Sequence, residues 1–485
     1  MQVTIAATPW CRFKDKFIGD RRFYRAVLAL IVPVIIQNTV SNVVNLLDNV
    51  MVGALGTAHM SGVAIANQLI FVFNLAIFGA ISGAAIYGAQ FAGAKDWDGF
   101  RQTFRVRLLV SLVITILGVF ILSQLSGTLI SFYLQGEGDR ADAASMLLYG
   151  RQYLLIMLWG LLPFALTQCY SGVLREAGET FLPMVASLSA VLVNLTFNYL
   201  LIYGKLGFPA LKVQGAAIAT VLSRFVELAI VAVFSHANCR KYPFMTGVYR
   251  HFRIQKGLAK DIAIKGIPLF ANEFLWSLGM ITITQIFSTR GLVVMAGLNI
   301  ASTIGNLFNV FFLSMGTAVA VMTGQALGAN DPELAKKQIW QFLFFSVCIC
   351  LVLGTALALS AGPITLIYNT EPEVRHLAAG FMRVNAMYMA FHAIAHNCYF
   401  ALRSGGKTFI TMLFDSVYTW VVVVPYTYFM VNFTTIGIQA LYPLCHLTDL
   451  VKALLGIGVV SMGFWARNLV GQEPSQTPAV EGEDG

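Results

Sequence analysis

Apolar runs long enough to cross a lipid bilayer recur twelve times along this chain, and no other feature limits its fold as strongly. A helix needs about 20 mostly apolar residues to span the hydrocarbon. Only 11% of the 485 residues are charged, against about 25% in a soluble domain, so charge cannot cover a surface of this size in water. We therefore predict an all-α polytopic membrane protein with twelve transmembrane helices. The runs begin near Ala26, Ser61, Leu108, Met146, Leu182, Ala216, Ile262, Val293, Ile339, Leu377, Phe409 and Leu441.

Lysine and arginine are concentrated in alternate loops between these runs, which indicates the orientation of the helices. Basic residues cluster before the first run, after the second, in the central segment around Arg250, and again near Lys336 and Lys407. The intervening loops are neutral or acidic, as around Glu137 and Glu371. Because cytoplasmic loops carry the excess of positive charge, we predict a multi-pass protein of the cell membrane with both termini in the cytoplasm.

One sequence pattern occurs twice. Residues 88–96 read GAQFAGAKD and residues 323–331 read TGQALGAND, and their glutamines are 235 positions apart (325 − 90 = 235). Pro33 and Pro268 have the same spacing (268 − 33 = 235). The chain is therefore two homologous halves of six helices each. An even number of spans gives both halves the same orientation, so we predict two pseudo-symmetric six-helix bundles related by a two-fold axis along the membrane normal.

The repeated stretches themselves are predicted to end the second helix of each half. Small residues at such positions allow helices to pack closely, so we interpret these stretches as packing and topology signals without substrate contact. A second repeat follows the first: 174–180 reads LREAGET and 402–408 reads LRSGGKT, 228 positions apart (402 − 174 = 228). The spacing between the halves therefore changes only by small differences in loop length.

The repeat and the charge pattern divide the chain into five segments. We predict two six-helix lobes, residues 26–238 and 261–466, joined by a basic cytoplasmic linker at 239–260. A cytoplasmic N-terminal segment, 1–25, precedes the first lobe. The polar, acidic tail at 467–485 is predicted to be disordered.

Several stretches, taken in order with the duplication, identify a family. Residues 46–56 read LLDNVMVGALG, 171–180 read SGVLREAGET, 191–204 read VLVNLTFNYLLIYG and 213–224 read VQGAAIATVLSR. With these stretches the chain resembles the multidrug and toxic compound extrusion (MATE) transporters over nearly its whole spanning region. The resemblance implies twelve helices in two bundles and the export of organic cations or other amphipathic compounds in exchange for protons or sodium ions.

Asp48 is the first candidate functional residue, because an ionisable side chain inside a membrane span is costly. It lies fifteen residues after Pro33 (48 − 33 = 15), which is about 22 Å along a helix and toward the outer leaflet. The family's acidic residue of the first helix lies in the same motif, so the resemblance implies that Asp48 binds the coupling ion, a proton or a sodium ion, and contacts substrate. The alternative is an aspartate at a helix end in headgroup water.

Glu273 is the second candidate, five residues after Pro268 (273 − 268 = 5) in the seventh run. NorM-like members of the family also carry a glutamate in this helix, so the resemblance implies a ligand for a cationic substrate or for the coupling ion. The alternative is a carboxylate satisfied by neighbouring helices. We call residues at equivalent positions of the two halves repeat mates. The repeat mate of Glu273 is Asn38 and that of Asp48 is Ile283, so the two halves carry their charges at different depths. The predicted substrate-binding set also includes Gln37, Asn272, Asp415 and His392, and for Asp415 the capping of a neighbouring helix is left open.

The chain departs from the family pattern at two positions. NorM-like members have an aspartate in the tenth helix where this chain has His392, and other members have an aspartate in the fifth helix where it has Asn198. We include Asn198 in the predicted coupling-ion site, and the departures leave protons and sodium ions as alternatives. Pro33 and Pro268 are predicted hinges, because a proline removes one backbone hydrogen bond from its helix.

We interpret two further patterns as structural. His392 and His396 share one helix face, but no Glu or Cys at helical spacing completes a metal site, so we predict hydrogen-bonded histidines and no metal. Arg224 with Glu227, and Asp449 with Lys452, are three residues apart and are predicted to form ion pairs within their helices. The two pairs align in the repeat with opposite signs.

We therefore predict an antiporter of amphipathic, cationic small molecules that uses a proton or sodium gradient and works by alternating access between two lobes. The alternative is a flippase of lipid-linked oligosaccharides with the same broad fold, which should have cationic residues in the cleft. An enzyme is not expected, because the spans contain no GxSxG, HExxH or Walker A motif. No cofactor and no nucleic-acid partner are predicted. The expected partners are small molecules and the bilayer, and the expected state is a monomer.

Overall fold

Helices make up nearly all of the chain in the computed structural model, which describes residues 9–134, 140–250, 252–368 and 370–471. Within these residues no strand occurs, and twelve helical spans follow one another, each containing one of the predicted starts. Numbered in chain order, spans 1–12 are Arg21–Gly53, Thr57–Ala94, Trp97–Tyr133, Arg140–Met157 continued by Leu161–Glu176, Phe181–Tyr203, Lys212–Ala237, Lys256–Ser288, Leu292–Gly328, Pro332–Thr365, Pro372–Ser404, Thr408–Met412 continued to Val424–Phe433, and Ile438–Cys445 continued by Leu447–Ser461.

Eleven of the helical segments in the described residues are long and apolar enough to cross a membrane. The remaining span is span 10, a helix of 33 residues whose sequence contains Glu373, Arg375, Arg383 and Arg403. These charges lower its hydropathy but not its length, which exceeds the roughly 20 residues that a crossing requires. The architecture is therefore an all-helical polytopic bundle, as the sequence predicts.

Spans 1, 3 and 9 begin well before their apolar runs, and each of these three helices starts at a polar side-chain cap. The Asp96 carboxylate accepts hydrogen bonds from the backbone N–H groups of Asp98 and Gly99, both at 3.0 Å, at the start of span 3. Its repeat mate Asp331 accepts from Leu334 N at 2.9 Å at the start of span 9. Such caps satisfy backbone donors that have no partner inside the helix.

Three predicted segment boundaries differ from the observed elements. A short helix, Pro9–Phe17, lies within the predicted N-terminal segment, and span 1 begins at Arg21 rather than Ala26. Span 7 begins at Lys256, inside the predicted linker. At the other end, Leu469 N donates to Gln90 Oε1 at 2.7 Å, so the first residues of the predicted tail pack against span 2. The rest of that tail, 472–485, and the loop around Glu137 lie outside the described residues.

The buried apolar residues form two large cores, one for each half of the sequence. Two spans cross between them. Val27 of span 1 is buried in the core of the second half, and Ile262 of span 7 is buried in the core of the first half. These residues are repeat mates (262 − 27 = 235), so the first turns of spans 1 and 7 exchange places about the pseudo-two-fold axis.

The two repeated stretches of spans 2 and 8 contact each other directly. A β-carbon on Gly93 would lie 2.0 Å from the carbonyl oxygen of Gln325, and one on Gly328 would lie 1.8 Å from the carbonyl oxygen of Gln90. Only residues without a β-carbon allow the two backbones to approach this closely. The duplicated stretches therefore pack on each other through two reciprocal contacts.

Side-chain hydrogen bonds reinforce this contact with the same symmetry. Gln90 Nε2 donates to the carbonyl oxygen of Ser404 at 3.0 Å, and Gln325 Nε2 donates to the carbonyl oxygen of Glu176 at 2.7 Å. The acceptors are also repeat mates (404 − 176 = 228). Arg403 adds a hydrogen bond to Ser82 Oγ at 2.6 Å.

We call this side of the molecule the basic end, because Lys95, Lys336 and Lys407 lie there at the ends of spans 2, 9 and 11. Among the described residues, every hydrogen bond that joins the two six-helix halves involves the portions of the spans nearest to it. The halves are thus held together at the basic end, and the described residues form no such bond toward the opposite end.

Candidate functional site

The first polar cluster lies within the first half and is centred on Asp48. Asn198 Nδ2 of span 5 donates to Asp48 Oδ1 at 2.5 Å and to Asn194 Oδ1 at 3.1 Å. Asn194 Nδ2 in turn donates to Thr220 Oγ1 of span 6 at 3.2 Å. Span 1 is therefore joined to spans 5 and 6 by a chain of uncharged groups that ends on one carboxylate.

Two features of this cluster suit the binding of a small cation. The Oδ1 atom of Asn198 is buried and has no hydrogen-bond partner, and a buried polar atom without a partner is costly. Asp48 supplies the negative charge beside it and has no ion-pair partner among the described residues. Carboxylate and amide oxygens are the ligands that hard cations prefer, and a carboxylate can also take up a proton.

The second polar cluster lies in the other half and joins spans 7, 10 and 11. Tyr399 OH donates to Glu273 Oε1 at 3.2 Å. Asn272 Nδ2 donates to Tyr399 OH at 3.3 Å and to Asp415 Oδ2 at 3.0 Å. Ser416 Oγ donates to Asn272 Oδ1 at 2.6 Å. Three of the predicted site residues, Glu273, Asn272 and Asp415, are thus brought together, with Tyr399 linking two of them.

Asp415 lies in a stretch of span 11 with π-helical geometry, Leu413–Val417, which is followed by a second one, Thr419–Val423. Such wide turns are rare in proteins overall, and those that occur are often found at functional sites. They change the direction of the side chains relative to an ordinary helix, and here Asp415 is directed at both Asn272 and Lys452.

The ion pairs predicted within spans 6 and 12 are wrong. Lys452 Nζ donates to Asp415 Oδ1 at 2.7 Å instead of pairing with Asp449. Arg224 donates to the carbonyl oxygen of Gly160 at 3.1 Å and lies over the ring of Phe164 instead of pairing with Glu227. A spacing of three residues permits a pair, but partners on neighbouring spans lie in better positions.

His392 does not join the Glu273 cluster. Its Nε2 lies 3.5 Å from Asp449 Oδ2, and Asp449 Oδ2 also bonds to His446 Nδ1 at 2.6 Å. His396, one turn further along span 10, contacts Phe400. Its buried Nε2 atom has no hydrogen-bond partner among the described residues, so the predicted hydrogen bond of this nitrogen is wrong. The two histidines that share a face in the sequence therefore have different surroundings.

The remaining predicted residues lie apart from both clusters. Gln37 Oε1 accepts a hydrogen bond from Arg175 Nη2 at 2.9 Å. Pro33 and Pro268 both lie inside long helices, spans 1 and 7. The hinge role of both prolines stays a prediction, and the same two helices carry Asp48 and Glu273.

Sequence analysis missed a polar stripe on span 8. Its members share one helical face, and all are exposed although most of the helix is apolar. Polar groups in a membrane span face a cavity or other helices rather than lipid. The signal was present in the sequence as regularly spaced polar residues. The members are Asn299, Ser302, Thr303, Asn306 and Asn309.

Comparison with known proteins identifies the family and the fold. The family model MatE matches residues 33–200 and again residues 268–429, so one model fits each half. The chain is 26% identical to a probable multidrug resistance protein NorM of Thermotoga maritima, over 85% of this chain and 87% of that protein. It is 23% identical to the multidrug resistance protein MdtK of Pectobacterium atrosepticum, over 92% of each chain.

Solved structures with a similar fold include one described as the outward-facing conformation of a multidrug resistance MATE family transporter. It superposes with a TM-score of 0.80 at 20% identity, covering 92% of this chain and 96% of that one. Another, described as a transporter of the same superfamily from Pyrococcus furiosus with a binding pocket of reverse polarity, also gives a TM-score of 0.80, at 21% identity and 93% coverage of this chain and 97% of that one.

Proposed function

The chain belongs to the MatE family and is a multi-pass membrane efflux transporter, and from this premise we propose that it is an antiporter. It exchanges amphipathic, cationic small molecules for protons or sodium ions. The transport needs no cofactor and makes or breaks no covalent bond. The protein works as a monomer in the cell membrane, and its partners are its substrates and the lipid bilayer.

The observation that carries this proposal is a pair of carboxylates, Asp48 and Glu273, one in each half. Each lies inside a membrane span and is hydrogen-bonded to an uncharged side chain, Asn198 or Tyr399. Within the described residues neither has an ion-pair partner, whereas Asp415 is paired with Lys452. An ionisable group without a counter-ion is costly in a membrane, so both are available for an ion or a cationic substrate.

The two clusters are suited to different roles. The Asp48 cluster offers several oxygen atoms close together and a partnerless amide oxygen on Asn198, which supports its assignment to the coupling ion. Glu273 is part of a larger network with Asn272 and Asp415, which supports a role in binding a cationic substrate. His392 and Gln37 are proposed as more distant contacts along the substrate path.

The contact at the basic end supports alternating access. In this mechanism two lobes move relative to each other, residues 26–238 and 261–466, and the segment 239–260 joins them. The reciprocal contacts of Gly93 and Gly328 close the basic end, and we assign the described structure to the state open at the other end. Pro33 and Pro268 allow spans 1 and 7 to bend as the lobes separate.

We place the basic end in the cytoplasm, so both termini are cytoplasmic. Cysteines placed near Lys95, Arg250 and Lys336, in a variant without native cysteines, are expected to react with a membrane-impermeant thiol reagent only after the cells are opened. Labelling of all three positions from outside intact cells would contradict this orientation.

Glu273→Gln is expected to weaken the binding of cationic substrates and to leave neutral ones little affected. The change keeps the acceptor for Tyr399 OH and removes the charge. Loss of one charge-assisted contact should cost about 1.5–3 kcal/mol, or roughly ten- to over a hundred-fold in affinity. The measurement is equilibrium binding of a cationic dye and of a neutral analogue to purified protein.

A matched control is Glu333→Gln, which removes the same charge from an exposed side chain paired with Lys336. Exposed ion pairs contribute little, so this variant should bind both ligands like the parent. Equal binding of the cationic dye by Glu273→Gln and the parent would exclude Glu273 as a cation ligand.

The proposed function is tested by dye efflux from proteoliposomes with pH and sodium gradients imposed separately. We expect one gradient to drive efflux and the other to have no effect. Dissipation of the driving gradient by an ionophore should stop it. Efflux at the same rate with and without either gradient would contradict ion coupling.

The alternative, a flippase for lipid-linked oligosaccharides, is less well supported. A cleft for a pyrophosphate group should contain unpaired cationic side chains. Lys452 is neutralised by Asp415. Among the described residues Arg224 has no carboxylate within ion-pair distance, but its guanidinium group already donates to the Gly160 carbonyl oxygen and lies over the Phe164 ring. The carboxylates without counter-ions favour a cationic substrate over an anionic one.

A further inference from the structure

Three potential metal ligands converge in the second half of the molecule. His392 of span 10 meets Asp449 of span 12 and His446, which directly precedes the second helix of that span. One ligand atom from each, an imidazole nitrogen from either histidine and a carboxylate oxygen, lies within 4.8 Å of the other two. Spacing within span 10 could not reveal this cluster, because two of its three members come from span 12.

We propose that these three side chains bind a divalent transition-metal ion such as Zn²⁺ or Co²⁺. Two imidazole nitrogens and one carboxylate oxygen are a ligand set that suits such ions, and a fourth position is left for water or another ligand. With bonds of about 2.0–2.1 Å, neighbouring ligand atoms of a tetrahedral site lie about 3.3 Å apart. The observed 3.5 Å between His392 Nε2 and Asp449 Oδ2 is close to that separation.

One pair of ligand atoms has to separate when the ion enters. His446 Nδ1 and Asp449 Oδ2 are 2.6 Å apart and share a proton in a hydrogen bond. A metal ion displaces that proton into solvent, and the two atoms move apart by about 0.7 Å to reach the tetrahedral separation. A shift of this size requires only side-chain rotation.

The surroundings hold the ligands in place. The His446 ring contacts Tyr442 edge-on, with ring centroids 4.7 Å apart, and Tyr388 at 5.5 Å. Contacts that fix a ligating ring strengthen metal binding. The nearest positive charge on the same helix is Lys452, which donates to Asp415. The Asp415 carboxylate offsets the charge of Lys452, so Asp449 remains available to the ion.

The three ligands differ in how far the rest of the chain covers them. The His392 side chain is 44% exposed, and those of His446 and Asp449 are 22% and 20% exposed. His392 is therefore the least covered of the three ligands, and His446 and Asp449 are largely shielded by neighbouring residues. A bound ion would connect span 10 to span 12 at a point separate from the Asp48 cluster.

The test is a Zn²⁺ titration of the purified full-length protein, prepared with an affinity tag that contains no histidine. We expect one saturable site per chain, unaffected by excess Mg²⁺, which prefers all-oxygen sites. His392→Gln and Asp449→Asn should each weaken binding at least tenfold. Co²⁺ should bind with the absorption spectrum of a tetrahedral nitrogen and oxygen site.

The matched control is His376→Gln. His376 is exposed on the same span 10 and bonds to Gln439 at 3.1 Å, away from the cluster. This variant should bind Zn²⁺ like the parent, and thermal unfolding of the metal-free variants should show that each is folded. The proposal is overturned if the parent has no saturable site, or if His392→Gln binds as well as His376→Gln.

Discussion

Gly328→Ala is expected to remove most efflux, because the new β-carbon cannot fit at the contact between the two halves. It would lie 1.8 Å from the carbonyl oxygen of Gln90 and 2.5 Å from its carbonyl carbon. Both atoms belong to the backbone of span 2, so no side-chain rotation relieves the overlap. The halves must move apart, and the basic end can no longer close as described.

The size of the effect follows from the cost of overpacking, about 1–3 kcal/mol. A bias of that size changes the ratio of the closed to the open state at the basic end by roughly 5- to 150-fold. In this variant the backbone amides at the ends of spans 2 and 8 should exchange hydrogen faster than in the parent, because local opening exposes them to water. Gly93→Ala should act in the same way from the other half, where the overlap is with Gln325.

The control for this prediction lies on the same helix. A β-carbon on Gly305 would meet no atom within 4 Å, so Gly305→Ala should leave efflux and exchange unchanged. If Gly328→Ala exports dye at the parental rate, closure of the basic end through spans 2 and 8 is not part of the transport cycle.

Asp48→Asn is expected to abolish gradient-driven efflux while the protein stays folded. Asparagine keeps an oxygen that can accept the hydrogen bond from Asn198, but it carries no charge and cannot release a proton. Coupling requires an ion that binds the two conformations with different affinity, and this variant removes the negative charge of the proposed ion ligand. Substrate binding should also lose any dependence on pH or sodium that the parent shows.

Two further variants separate charge from shape in this test. Asp48→Glu keeps the charge on a longer side chain and should retain part of the activity. Asp98→Asn removes an exposed carboxylate that pairs with Arg101 and should pump like the parent, since such pairs contribute little. Near-parental efflux by Asp48→Asn would move the coupling site to Glu273 or Asp415.

The architecture could be predicted from the sequence because the membrane imposes it. Apolar runs of fixed minimum length have to become helices in lipid, and a spacing of 235 residues revealed the duplication. The repeat did not indicate that its two copies contact each other. Once they do, the symmetry requires two equivalent contacts, Gly93 with Gln325 and Gly328 with Gln90.

The side-chain pairings were less predictable, because they depend on which spans become neighbours. Lys452 had a suitable partner in Asp449 three residues away, but span 11 places Asp415 closer to its ammonium group. Asp449 is then left to His446 and His392. Residue spacing predicts contacts within one helix, whereas the contacts of Lys452 and Asp449 depend on the relative positions of spans 10, 11 and 12.

The central claim is that substrate export and ion entry occur together through this protein. The most direct test measures ion movement evoked by substrate in proteoliposomes that start without any ion gradient. An imposed substrate gradient should drive protons or sodium ions in the opposite direction, and Asp48→Asn should show no such ion movement. Substrate transport by the parent protein without accompanying movement of either ion would contradict the claim.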